Sequence, residues 1–204
     1  GVESLAWAPD GKSIVYVSRK KTGKEYSLST NSDLYQYNIE TGETKNLTEG
    51  MMGYDTCPRF SKSGRYLAWL SMEHDGYESD MNRIFIMDMQ TGEKKHLTSE
   101  WDYAADNIEW SPNEKAIYFT APYLGCTPMF KIDIENLKID TVASGEYDYA
   151  AIVPVNDDTI ITLRHSLQEP NELYVISNGE TSKLSNVNDE LLAQLNNVTV
   201  NKVM

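Results

Sequence analysis

The chain has 204 residues, of which 24% are charged and 40% hydrophobic, and its formal charge is −13. That balance excludes a phosphate-binding surface, which needs clustered Lys and Arg; only Arg19, Lys20 and Lys21 and the pair Lys94 and Lys95 come near one, so nucleic acid is not an expected partner. No apolar run approaches the roughly 20 residues of a membrane-crossing helix, so no membrane partner is expected either.

The predicted elements begin with residues 5–12, which carry Trp7, Pro9 and Gly11, and continue with an apolar strand at 13–17. After a polar connection at 18–32 the pattern resumes with strands at 33–39 and 45–48, joined through Thr41, Gly42 and Glu43. The second copy runs from Cys57 to Thr98: a strand at 57–60, a turn with Gly64, an apolar strand at 66–71, an acidic connection at 72–82, strands at 83–89 and 94–98, and a turn with Gly92 between them. Gly64 and Gly92 supply the positive φ that tight hairpin turns need. The third copy takes 108–115, 116–120, 128–134 and 139–143, with residues 135–138 in place of Thr-Gly-Glu and hence a weaker turn signal. The fourth, at 151–158, 159–163, 172–176 and 182–185 with a turn at Asn178 and Gly179, is the most degenerate.

Lys12, Arg65 and Lys115 occupy matched positions 53 and 50 residues apart, at the upper edge of the period of propeller blades. A lone four-stranded meander cannot bury both faces, and copies of itself solve that problem. The expected fold is therefore all-β: a partial β-propeller of about four four-stranded antiparallel blades at about 1–50, 51–99, 100–145 and 146–187. Residues 188–204 change character; an N-cap-like Asn188 or Asp189 before a leucine-bearing stretch predicts a short helix, and 198–203 an exit strand. A chain that enters a blade within four residues of Gly1 is expected to have lost whatever preceded it. An open array exposes edge strands, which makes a homo-oligomer a possible partner state.

The chain carries no G-x-S-x-G elbow, P-loop or H-E-x-x-H spacing, and His74, His96 and His165 are scattered, so no catalytic residue, metal or cofactor is expected. Cys57 and Cys126 lie in no C-x-x-C pair and read as two separate half-buried thiols. The acidic connection with Glu73, Asp75, Glu78 and Asp80 joins the second and third strands of its blade. Connections of that parity share one face, which would gather it with 18–32, 121–127 and 164–170 as a binding surface. Its carboxylates fit either a solvated acidic loop or a site for a cation such as a peptide amino terminus; a Ca²⁺ site is the weaker option, since 75–80 lacks the EF-hand pattern. Trp7, Tyr16, Tyr35, Phe60, Trp69, Phe85, Trp110, Tyr118, Phe130 and Tyr174 recur at matched positions and are expected in the core, whereas Tyr54, Tyr103, Tyr123, Tyr147 and Tyr149 fall in connections and are candidates to line a channel or binding face.

The Trp-Ala-Pro-Asp-Gly at Trp7, the Trp-Ser-Pro-Asn at Trp110 and the Thr-Gly-Glu…Leu-Thr endings resemble the WD40-like propeller repeats of the Tol-Pal translocation protein and of the prolyl oligopeptidase family of serine peptidases. Residues 73–83 are similar to the Gly-aromatic-Glu-x-Asp loop of bacterial dipeptidyl and acylaminoacyl peptidases, and 184–195 looks like the segment by which those enzymes leave the propeller for an α/β-hydrolase domain. The resemblance implies a propeller fragment of a serine exopeptidase that gates the active site and helps bind the peptide amino terminus, with Glu73, Asp75, Glu78, Asp80 and Arg83 as substrate-binding candidates. Its implied partners are the peptide and a C-terminal α/β-hydrolase domain, reached through 188–204, that holds the catalytic triad; no position here matches the triad. The implied compartment is periplasmic or secreted, with the cytoplasm as the other possibility. A non-catalytic interaction propeller of Tol-Pal type is the alternative, and a propeller enzyme with a face-bound metal a third.

Overall fold

A computed structural model describes residues 4–195. The expected exit strand at 198–203 lies outside them. The described residues build four four-stranded sheets, each an antiparallel meander in sequence order: β1–β4, β5–β8, β9–β12 and β13–β16. They fall into two compact units, divided after Trp110.

The first unit holds β1 (Leu5–Trp7), β2 (Ser13–Ser18), α1 (Lys24–Leu28), β3 (Asp33–Asn38), β4 (Thr44–Asn46), β5 (Asp55–Phe60), β6 (Tyr66–Ser71), β7 (Arg83–Asp88), β8 (Lys94–His96) and β9 (Asp106–Trp110). The second strand of the second sheet, β6, is apolar in sequence because both of its faces are covered: Leu67, Ala68, Trp69 and Leu70 are all buried. Val15, Leu34, Leu47, Leu67, Trp69 and Met87 form one core cluster, and Trp69 stacks on its cross-strand partner Phe85 at 5.6 Å.

The Leu-Thr endings have a structural cause. Leu47 donates its backbone N–H to Leu34 O at 2.8 Å, while the Thr48 hydroxyl oxygen accepts the Leu34 N–H at 3.0 Å. Leu97 and Thr98 repeat the pair on Ile84. In both copies the leucine fills the core and the threonine closes a buried backbone donor.

The turns between third and fourth strands share a second device. Asn38 Oδ1 accepts the N–H groups of Glu40 and Thr41, and Asp88 Oδ1 those of Gln90 and Thr91. In the second unit Asp133 Oδ1 does the same for Glu135 and Asn136, both at 2.9 Å, and Leu137 takes φ 62° where the other two turns have glycine. The weak turn signal at 135–138 thus hides the same turn, specified by the aspartate before it.

That second unit continues with β10 (Ala116–Thr120), β11 (Met129–Asp133), β12 (Ile139–Ala143), β13 (Asp148–Asn156), β14 (Thr159–His165), β15 (Glu172–Ser177), β16 (Glu180–Lys183) and the short α2 (Asp189–Leu192). Its core cluster includes Tyr118, Met129, Tyr149, Ile152, Ile160 and Ile176. Asn178 and Gly179, both at positive φ, make the two-residue turn into β16.

Four expectations need correction. The connection at 18–32 contains the five-residue helix α1, which buries no side chain. The first strands of the second, third and fourth sheets start earlier than predicted, at Asp55, Asp106 and Asp148. Trp7 is 58% exposed, whereas Trp110 at the matched position is 8% exposed, stacks on Tyr66 and donates its indole N–H to Arg59 O. Tyr149 belongs to β13 and is buried, so it lines no surface. Cys57 and Cys126 are both half-buried thiols, as expected.

Candidate functional site

The acidic connection between β6 and β7 starts where the chain has just passed close to its own backbone. A Cβ at Gly53 would sit 2.8 Å from Met72 O, and Gly53 has φ 84°, so only glycine fits beneath the entry to the loop. From there the five expected residues separate into three roles.

Asp80 is almost wholly covered, with 7% of its side chain exposed. Its Oδ2 accepts the N–H groups of Glu73 at 2.8 Å and His74 at 2.9 Å and lies 2.9 Å from His74 Nδ1; its Oδ1 accepts the Met81 N–H at 2.7 Å. Burial opposes its ionisation, but His74 and these backbone donors outweigh it and hold the carboxyl well below the usual carboxylate range. Asp75 points the other way. Its Oδ1 accepts the Ser29 hydroxyl at 2.8 Å, the Thr30 N–H at 2.7 Å and the Asn31 N–H at 3.1 Å, and Lys21 Nζ lies 3.7 Å from its Oδ2. The Ser29 hydroxyl above all, and these N–H groups, keep Asp75 ionised below its ordinary range. Both aspartates are therefore fasteners, one closing the loop on itself and the other tying it to the connection that carries α1.

Arg83 bridges the loop base. It reaches Glu73 Oε2 at 3.0 Å and Asp80 Oδ1 at 3.6 Å, and donates to Met81 O at 3.0 Å. Glu73 is 62% exposed, and Glu78 is exposed beside the exposed Tyr77. Glu73 and Glu78 are the carboxylates the loop offers to solvent. With Asp75 and Asp80 engaged by protein donors, no group of three or more His, Cys, Asp or Glu is arranged to hold a metal ion among the described residues.

The expected gathering of loops holds within each unit. Residues 18–32 meet 72–82 through Asp75 and through Gly76, whose N–H donates to Thr30 Oγ1 at 2.8 Å. In the second unit 121–127 and 164–170 meet the residues before β13 around a cavity of about 480 Å³, lined among others by Leu124, Tyr147 and Leu167. Beside it Arg164 is clamped between Tyr147 and Tyr174, 3.7 Å from each ring. Sequence reasoning singled out Tyr123 and Tyr147 there but missed Glu146 and Asp148; the only available signal was the Leu124-Gly125 turn, both of whose residues take positive φ.

Known proteins resemble the chain at two levels. Dipeptidyl-peptidase 5 of Porphyromonas gingivalis is 44% identical over 204 residues, 99% of this chain and 30% of that protein, and dipeptidyl-peptidase 5 of Schizosaccharomyces pombe is 28% identical over 158 residues, 76% of this chain and 23% of that one. The chain thus spans under a third of the length of these curated relatives. Among solved structures, uncomplexed acylaminoacyl peptidase of Pyrococcus horikoshii superposes with a TM-score of 0.75 at 21% identity over 95% of this chain and 28% of its own. TolB of Acinetobacter baumannii gives 0.66 at 21% identity over 89% and 43%. Both likenesses establish the β-propeller type of fold. The model of the TolB beta propeller domain matches residues 2–193, a span that contains all four meanders, and the chain belongs to that family.

Proposed function

We propose that the chain is the propeller portion of a serine exopeptidase of the dipeptidyl-peptidase type. In this reading it is not catalytic by itself: it restricts access to an active site carried by a separate α/β-hydrolase domain and helps hold the amino terminus of the peptide. The observation that carries the proposal is the 44% identity over 99% of the chain with a dipeptidyl-peptidase, a level the Tol-Pal alternative does not match.

The acidic loop supplies the chemistry for the amine. Glu78 is exposed and Glu73 shares its charge with Arg83, so Glu78 is the carboxylate most open to an ammonium group, while Asp75, Asp80 and Arg83 fix the loop that presents it. The test is to assay dipeptidyl and N-acylated chromogenic peptides with the 204-residue chain and with a polypeptide joining it to a hydrolase domain. Hydrolysis only by the joined polypeptide is expected. No hydrolysis by either would favour a non-catalytic interaction propeller.

A further inference from the structure

The cavity in the second unit has a composition that the loop of the first unit does not explain. Two of its three walls are tight turns, and residues 146–148 make the third. Tyr123 and Cys126 exchange backbone hydrogen bonds at 2.8 and 3.1 Å around Leu124 and Gly125, and Ser166 accepts the N–H groups of Gln168 and Glu169 on its hydroxyl oxygen, both at 3.1 Å. These turns hold Leu124 and Leu167 at the rim, 68% and 85% exposed. Large aliphatic side chains so exposed on both sides of a cavity form an apolar collar.

The charge within that collar is negative. Glu146, Asp148 and Glu169 all line the cavity. Glu169 is matched by Arg164 at 3.6 Å, and Asp148 is paired with His165, also at 3.6 Å. Glu146 is exposed and has no partner among the described residues. Arg164 itself is held back between Tyr147 and Tyr174, and among the described residues that line the opening there is no Lys or Arg to balance Glu146 and Asp148. A ligand that fits must bring a positive charge on an aliphatic stem: the stem lies along Leu124 and Leu167 and the charge reaches the carboxylates.

We propose that this cavity binds an alkylammonium group, the lysine side chain of an extended peptide, with Glu146 and Asp148 receiving the ammonium and Leu124 and Leu167 covering its methylenes. A volume of about 480 Å³ accommodates such a side chain together with adjacent backbone. The site differs from the amine-reading loop proposed above in residues and in ligand, since it takes a side chain and needs no free amino terminus.

The test is amide NMR titration of the 204-residue chain with the blocked peptide acetyl-Ala-Lys-Ala-amide, its Nζ-acetylated form and its norleucine analogue. The expected result is chemical-shift change centred on Gly125, Tyr147 and Gln168 with the lysine peptide, at least about threefold weaker binding to Glu146→Gln, and loss of binding with the acetylated and norleucine peptides. Leu167→Ser, a change at an exposed turn position, is expected to weaken binding without altering the rest of the spectrum. Equal shifts from the three peptides, shifts elsewhere in the spectrum, or no shifts with the lysine peptide would overturn the proposal.

Discussion

The Asp75 carboxylate accepts the backbone N–H of Thr30 at 2.7 Å, a bond between residues 45 apart in the chain that makes the acidic loop and the α1 connection one assembly. Charge-assisted bonds of this kind are stronger than neutral ones, and removing the acceptor strands several donors at once. Asp75→Ala is expected to lower stability by about 2 kcal/mol and to speed amide exchange at Thr30 and Asn31. Urea unfolding and hydrogen exchange read the two effects. Unchanged exchange would mean that the loop is held by its own turns alone.

Trp110 and Trp7 share a repeat position but not an environment. Trp110 stacks on Tyr66 with ring centroids 5.9 Å apart and donates to Arg59 O at 2.9 Å, whereas Trp7 is more than half exposed. Trp110→Ala is expected to cost about 3–5 kcal/mol and Trp7→Ala about 1 kcal/mol or less, by urea midpoints on the same chain. Equal losses would contradict the burial seen here.

Asp55 is fully buried, and Trp69 Nε1 donates to its Oδ1 at 3.1 Å. Burial, aided by the charge of Asp33, pushes its carboxyl up to about 6 against the donors Ser71, Thr48 and Trp69. The folded value lies above the ordinary one of 3.8, so the folded state favours the protonated acid. Its contribution is fully present below pH 3.8 and is lost as pH rises through about 6, by an amount on the order of 3 kcal/mol. Asp55→Asn is expected to remove that part of the pH dependence. A variant whose stability profile parallels the wild type across this window would count against it.

Glu172 has the opposite sign. The Ser185 hydroxyl is its strongest partner, and Asn188, through its backbone N–H and its side-chain amide, each at 2.9 Å, together with the Val187 N–H at 3.4 Å, complete a clamp on the segment before α2. These donors hold the carboxyl down at about 2. The stabilisation is present above pH 4.5 and is lost as pH falls through about 2. Faster exchange at Asn188 on acidification, absent in Glu172→Gln because that variant is already loose, is the expected observation.

The repeated core was legible because its signals are local. Leu47 with Thr48 and Leu97 with Thr98 show in the sequence as a pair and act as a pair, one filling the core and one closing a backbone donor. The strand starts were not, because each carries a left-handed residue at a matched position, Cys57, Asn107 and Ala151, with φ of 53°, 50° and 47° and without glycine to mark it. The ladder slips at two of these sites, between Thr56 and Arg59 and between Ala150 and Ile152. The acidic loop was visible as a run of carboxylates, but the partners that distinguish Asp75 from Glu78 come from Ser29, Thr30 and Asn31, which no local pattern connects to it. Trp7 was misplaced for a related reason: a repeat position predicts which face a side chain takes, and burial depends on what lies against that face.

The most direct measurement is the ratio of kcat/KM for a dipeptidyl substrate with a free amino terminus to that for its N-acylated counterpart, in a polypeptide joining this propeller to a hydrolase domain. Glu78→Gln, and more strongly the pair Glu73→Gln with Glu78→Gln, are expected to lower that ratio by roughly tenfold through KM, leaving the acylated substrate untouched. A ratio unchanged in the double variant would contradict a role for this loop in reading the amino terminus.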